Sequence, residues 1–140
     1  MADFYVALAK VLRKEGGYGN NPSDKGGETY KGISRKYHPL SIMWKYIDRY
    51  KEECGGINAK FKRKLDADKS IAAAVASIYK KQYWNPFKLD TVPNQKVAEQ
   101  IFDDAVNRGV AKACRLCCSL FGLPIVNKPS ERLILQLQLL

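Results

Sequence analysis

Six of the chain's ten glycines fall between residues 16 and 34, and that density constrains the fold more than any other feature. The segment contains Gly16-Gly17, Asn20-Asn21-Pro22, Asp24-Lys25-Gly26-Gly27 and Tyr30-Lys31-Gly32-Ile33. Glycine inside a helix costs ~1 kcal/mol against alanine and proline ~3 kcal/mol, so no helix runs through such a stretch. Its turn chemistry suits loops and a short irregular hairpin. Upstream, Phe4, Ala7, Leu8, Val11 and Leu12 recur at helical spacing, which predicts a helix over 3–15 stopped by Gly16.

Downstream the helical period returns. Ser41 is placed to cap a helix over about 42–53, broken by Gly55-Gly56. Asp68 is a plausible cap for a helix through about Tyr83, with Ile71, Val75, Ile78, Tyr79 and Trp84 as its apolar stripe and Asn85-Pro86 as its end. A further helix over about 94–107 turns Val97, Ile101, Phe102 and Val106 inward and closes at Gly109. Another runs from Val110 to Phe121 and stops at Gly122 and Pro124. After Pro129 two patterns compete. Leu133, Leu135, Leu137 and Leu139 alternate as in a strand, whereas Pro129-Ser130-Glu131 reads as a helix start. The expected fold is mainly α, with a short glycine-rich hairpin or loop after the first helix. At 140 residues, without repeats or linkers, one domain over 1–140 is expected.

Composition excludes some classes. Hydrophobic residues make up 46%, enough for a packed interior. No stretch reaches the ~18–20 apolar residues of a membrane span, so no stable membrane insertion is expected. The N-terminus carries Asp3 and an internal Lys10 where a secretory signal would be basic and then unbroken apolar. Synthesis in the cytoplasm is expected, with any outside target reached by release or another export route. The formal charge of +10 favours anionic partners. Charge is the one hint of nucleic acid; no basic helix-turn-helix, zinc-finger or aromatic RNA motif accompanies it, and no nucleic-acid partner is expected. Cys114, Cys117 and Cys118 share one helix face, which reads as buried thiols. Zinc would require Cys54 or His38 as a fourth ligand, without the paired spacing of zinc sites, so neither metal nor cofactor is expected.

Glu15 stands at the C-terminal end of the first predicted helix. The negative end of the macrodipole disfavours an ionised carboxylate there, which suits an acid that holds its proton near neutral pH. Cleavage of a glycosidic bond needs such a group to protonate the leaving oxygen. The bland reading is a helix-end glutamate paired with Arg13 or Lys14.

Glu15-Gly16-Gly17-Tyr18, Asn21-Pro22-Ser23-Asp24-Lys25-Gly26-Gly27-Glu28-Thr29 and Lys31-Gly32-Ile33 together resemble the glycoside hydrolase family 108 lysozymes. Tyr79, Tyr83-Trp84-Asn85-Pro86 and Phe102-Asp103-Asp104-Ala105-Val106-Asn107-Arg108-Gly109 extend the likeness over about residues 4–122. The family comprises phage- and bacterium-encoded N-acetylmuramidases, some known as secretion activator proteins. The resemblance implies a lysozyme-like fold and cleavage of the β-1,4 bond between N-acetylmuramic acid and N-acetylglucosamine. It implies Glu15 as catalytic acid and peptidoglycan as partner, with action on the bacterial cell wall. The spacing Glu15, Asp24, Thr29 is similar to the glutamate–aspartate–threonine arrangement of phage lysozymes, slightly shorter before the threonine. The tail departs from the family: Val126-Asn127-Lys128-Pro129 lacks the aspartate-glycine step of its peptidoglycan-binding-like segment, so 123–140 is expected to be a truncated remnant.

The other candidates follow. Asp24 is either a turn former beside Gly26-Gly27 or a second carboxylate that stabilises oxocarbenium charge or orients water. Thr29 is either a strand residue or the group that positions the attacking water. Tyr18, Tyr30 and Trp84 carry flat rings suited to sugar faces, against the alternative of core packing, which is preferred for Tyr83. Asp103 and Asn107 lie one helical turn apart and are candidates for hydrogen bonds to the Glu15 loop or to acetamido groups. A monomeric hydrolase is expected; the alternative is a non-catalytic wall-binding or secretion-associated protein that keeps the fold.

Overall fold

A computed structural model describes residues 1–23 and 25–140. The chain is mainly α, lysozyme-like, with seven α-helices and one three-stranded antiparallel sheet among the described residues. It divides into two compact units, Leu12–Ser77 and Met1–Val11 with Ile78–Leu140.

In the Leu12–Ser77 unit, the glycine-rich stretch forms the sheet. Strands β1 (Tyr18–Asn20), β2 (Glu28–Tyr30) and β3 (Ile33–Ser34) lie in that order. Tyr18 pairs with Tyr30, Gly19 with Thr29 and Asn20 with Glu28, then Thr29 with Ser34 and Tyr30 with Ile33. The expected hairpin is therefore joined by a third strand. Lys31 and Gly32 form the two-residue link between β2 and β3, both at positive φ (50° and 80°). Tight hairpins need that conformation because it matches the strand twist, and Gly32 adopts it without a Cβ penalty.

Helix α2 (Ile42–Glu53) begins where Ser41 accepts a hydrogen bond from the Met43 amide, and it buries Met43, Trp44 and Ile47. Helix α3 (Ala59–Ala67) was not foreseen. Its run Lys60-Phe61-Lys62-Arg63-Lys64-Leu65 offers only two apolar positions, yet they are four apart and both are buried. Asn58 caps it by accepting from the Phe61 amide at 2.9 Å. Asp68 then opens α4 (Lys69–Tyr79), accepting from the Ile71 amide at 2.9 Å and from the Tyr50 hydroxyl at 2.5 Å.

The other unit takes its first turns from α1 (Phe4–Lys14), which buries Phe4, Ala7, Leu8 and Val11. After α4 the backbone widens into a π-helical turn over Lys80–Trp84 and then tightens into two 3-10 turns, Asn85–Phe87 and Leu89–Thr91. Helix α5 (Gln95–Arg108) is capped by Asn94. Its inward stripe is Ala98, Ile101, Phe102 and Ala105. This corrects the expected Val97 and Val106, which flank the stripe half-buried. The true stripe follows i, i+3, i+4, i+7 once alanine counts as apolar. Phe4, Trp84 and Phe102 meet edge to face, with ring centroids 5.3, 5.4 and 5.7 Å apart.

Helix α6 (Val110–Phe121) buries Cys114, Cys117 and Cys118 as free thiols. Burial pushes the Cys114 thiol up to about 12 and the Cys117 thiol up to about 11, the latter also through the charge of Asp104. The ambiguous tail is helix α7 (Glu131–Gln138), started by Ser130 accepting from the Leu133 amide at 3.2 Å. Leu133, Ile134 and Leu137 are buried while Leu135 and Leu139 are exposed, so the cap overrides the strand-like alternation. No helix among the described residues is long and apolar enough to cross a membrane.

Candidate functional site

Glu15 lies immediately after α1, half-buried, where the chain leaves the helix for the sheet. Arg13 and Lys14 occupy the last turn of α1, where cations suit the dipole. Among the described residues, none holds the Glu15 carboxyl by a hydrogen bond or ion pair. Exposed Gly16 and Gly17 then lead into β1.

Strand alternation sorts the next candidates onto two faces. Gly19, Thr29 and Ser34 are register partners and share one face. A Cβ built on Gly19 would lie 3.5 Å from the Thr29 hydroxyl oxygen, in keeping with that placement. Ser34 donates to the Gly26 carbonyl at 2.6 Å and ties down the β1–β2 connection beside Thr29. Asp24, expected in the same constellation, lies outside the described residues.

Tyr18, Glu28 and Tyr30 share the opposite face. The Tyr18 ring meets Phe61 of α3 edge to face at 5.0 Å. Tyr30 is buried, and its hydroxyl donates to Asp66 at 2.9 Å. Burial and then the Asp66 bond push the Tyr30 phenol well above its ordinary pKa, so it remains a donor. Gly17, Tyr18, Tyr30, Lys62, Leu65 and Asp66 line a pocket of about 200 Å³. The sheet turns the two tyrosines towards α3 and Thr29 to the opposite face.

Glu28 organises this face, a role that sequence reasoning missed. Its side chain is only 10% exposed and accepts from the Tyr18 hydroxyl, from Lys51 at 2.6 Å and from Arg35 at 2.9 Å. Arg35 in turn grips Asp48 through two bonds of 2.8 and 2.7 Å. Burial works to raise the Glu28 pKa, but the bonds from Lys51, Tyr18 and Arg35 outweigh it and the net shift is downward. The Arg35 bond likewise lowers Asp48. The available signal was period two: Glu28 stands two residues before Tyr30, on the same inward face.

Trp84, Asp103 and Asn107 belong to the other unit. Trp84 is fully buried against Phe4 and Phe102, and its indole N–H donates to Asp90 at 2.7 Å. This corrects the sugar-stacking expectation for Trp84, because packing leaves no ring face exposed. Tyr83, expected in the core, is half-buried. Asp103 is half-buried and Asn107 exposed, one turn apart on α5. Asp103 is already engaged by a neighbour.

The family model described as Glycosyl hydrolase 108 matches residues 8–109. A solved structure described as Brucella abortus SagA superposes with a TM-score of 0.60 at 23% identity, covering 98% of this chain and 69% of that chain. At that identity the likeness speaks for the fold. A search of curated proteins finds no match.

Proposed function

The chain belongs to glycosyl hydrolase family 108, and from that premise we propose that it cleaves the β-1,4 bond between N-acetylmuramic acid and N-acetylglucosamine in peptidoglycan, with Glu15 as general acid. The observation that carries the assignment is the position of Glu15. It is a half-buried carboxyl, free of described partners, at the junction between α1 and the sheet. In the reaction Glu15 donates its proton to the glycosidic oxygen as the bond to the anomeric carbon breaks. Thr29 positions the attacking water, and Asp24 supplies the second carboxylate, a role that rests on the sequence motif. The protein acts on the cell wall, reached by release or export.

The test is mass spectrometry of products from purified peptidoglycan. Reducing N-acetylmuramic acid ends are expected. Reducing N-acetylglucosamine ends, 1,6-anhydro ends or freed peptides would assign another chemistry. Glu15→Gln keeps the shape but cannot donate the proton. It should keep the fold and lose ~10²–10⁴-fold in turnover, the usual worth of general acid catalysis. Wild-type turnover in a folded Glu15→Gln protein would sink the assignment and favour a role without Glu15 chemistry.

A further inference from the structure

Helix α3 carries an arrangement of charge that its own stability does not explain. Lys60, Lys62, Arg63 and Lys64 are all exposed on nine residues of helix. Lys60, Arg63 and Lys64 stand at i, i+3 and i+4 and form one stripe, while Lys62 lies on the other flank with Asp66 at the pocket. No described residue pairs with any of the three stripe cations. Two cations elsewhere in the unit behave differently: Lys51 of α2 and Arg35, just after β3, are both held by Glu28 and Asp48.

Within the helix the stripe is unfavourable at its N-terminal end, although Lys64 in the last turn suits the dipole. Lys60 and Lys64 repel as a like pair at i, i+4. Lys60 also sits in the first turn, where the dipole disfavours a cation, and no acidic residue shares that turn. The helix persists because Phe61 and Leu65 are buried and Asn58 caps it. A row of unpaired, mutually repelling cations is relieved by an external row of anions.

We infer that the Lys60–Arg63–Lys64 stripe docks the protein on the carboxylates of peptidoglycan stem peptides. The inference rests on the proposed substrate and adds a second contact to it, separate from the Glu15 chemistry. A membrane surface is the poorer partner: an interfacial helix offers bulky apolar residues to lipid, whereas the apolar residues of α3 are buried within its own unit. The stripe raises the concentration of enzyme at the wall by screened electrostatics and takes no part in proton transfer.

The test compares Glu15→Gln protein with the same protein carrying K60Q, R63Q and K64Q. Glutamine retains good helix propensity, and melting curves verify the fold. Co-sedimentation is measured with purified peptidoglycan, with peptidoglycan whose carboxyls have been amidated, and with vesicles of anionic phospholipid. At ~0.05 M salt the triple variant should bind native peptidoglycan on the order of tenfold more weakly, and the difference should vanish near ~1 M salt, where the Debye length falls to ~3 Å. On amidated peptidoglycan the two proteins should bind alike. Equal binding of both proteins to native peptidoglycan overturns the inference. So does a loss confined to vesicles, or an equal loss on native and amidated material. Reducing ends released by the wild-type protein report separately on cleavage. Docking through the stripe without cleavage breaks the muramidase reading alone, and cleavage with no effect of the triple variant breaks the docking alone.

Discussion

The ring cluster of Phe4, Trp84 and Phe102 packs the interior of one unit, and the charge cluster around Glu28 ties the elements of the other, by different physics. The rings are buried and meet edge to face at 5.3–5.7 Å, an interaction indifferent to pH and salt. Glu28 collects Lys51, Arg35 and the Tyr18 hydroxyl around one shielded carboxylate, an interaction that depends on its protonation state. Acid and salt should therefore act on the Leu12–Ser77 unit first. That is the unit that carries Glu15 and Thr29.

The sharpest contrast comes from removing a ring. Phe102→Ala deletes a fully buried side chain in contact with both Phe4 and Trp84. Substitutions of this kind cost ~3–5 kcal/mol. The loss should be the same at pH 4 and pH 7, as read from denaturant unfolding at each. A strongly pH-dependent loss would mean that the ring cluster leans on a titrating neighbour.

Glu28→Gln is the matching cut in the other unit, and ~1–3 kcal/mol is expected because Lys51 and Arg35 lose their shared acceptor. Its sign with pH follows from the shift. The folded carboxyls of Glu28 and Asp48 lie below their ordinary values of ~4.3 and ~3.9. The stability they contribute is complete above those ordinary values and is lost as pH falls through the lowered folded ones. Hydrogen-exchange protection of the β2 amides should therefore drop between pH 5 and pH 3, while that of the α5 amides holds. Glu28→Gln should remove much of that acid response. Parallel acid loss in β2 and α5 would erase the distinction between the units.

The same contrast separates what the sequence made legible from what it hid. Helices α1, α2, α5 and α6 announced themselves through apolar period, Ser41 and closing glycines, all of them local signals. The turn-rich segment declared a hairpin because glycine and proline exclude a helix. Helix α3 stayed hidden because four cations mask a two-residue apolar stripe. In the site, the family motif pointed to Glu15 and Thr29, but motif spacing carries no information on sheet faces. Only the pairing of Tyr18 with Tyr30 and of Gly19 with Thr29 separates the tyrosines from the threonine. The Glu28 cluster joins residues 18, 28, 35, 48 and 51 across three elements, and no local period relates them.

The smallest expected effect probes the repulsion on α3. Asn58 caps α3 and Ser130 caps α7, each accepting from the amide three residues on, at 2.9 and 3.2 Å. Replacing either by alanine should cost ~1 kcal/mol. The two should part company in salt. With its cap gone, α3 still carries Lys60 and Lys64 as a like pair and Lys60 at the positive dipole end, and salt screens both penalties. Raising salt from ~0.05 to ~1 M should therefore recover a few tenths of a kcal/mol for Asn58→Ala relative to Asn58→Ala that also carries K60Q, which lacks both penalties and is measured alongside. Helix α7 has Glu131 in its first turn, where an anion is favoured, so salt should recover nothing for Ser130→Ala. Melting temperatures of both variants and the parent at the two salt concentrations decide the matter. Equal salt responses would show that the α3 cations do not strain their helix, and would remove the stability argument for an external anionic partner.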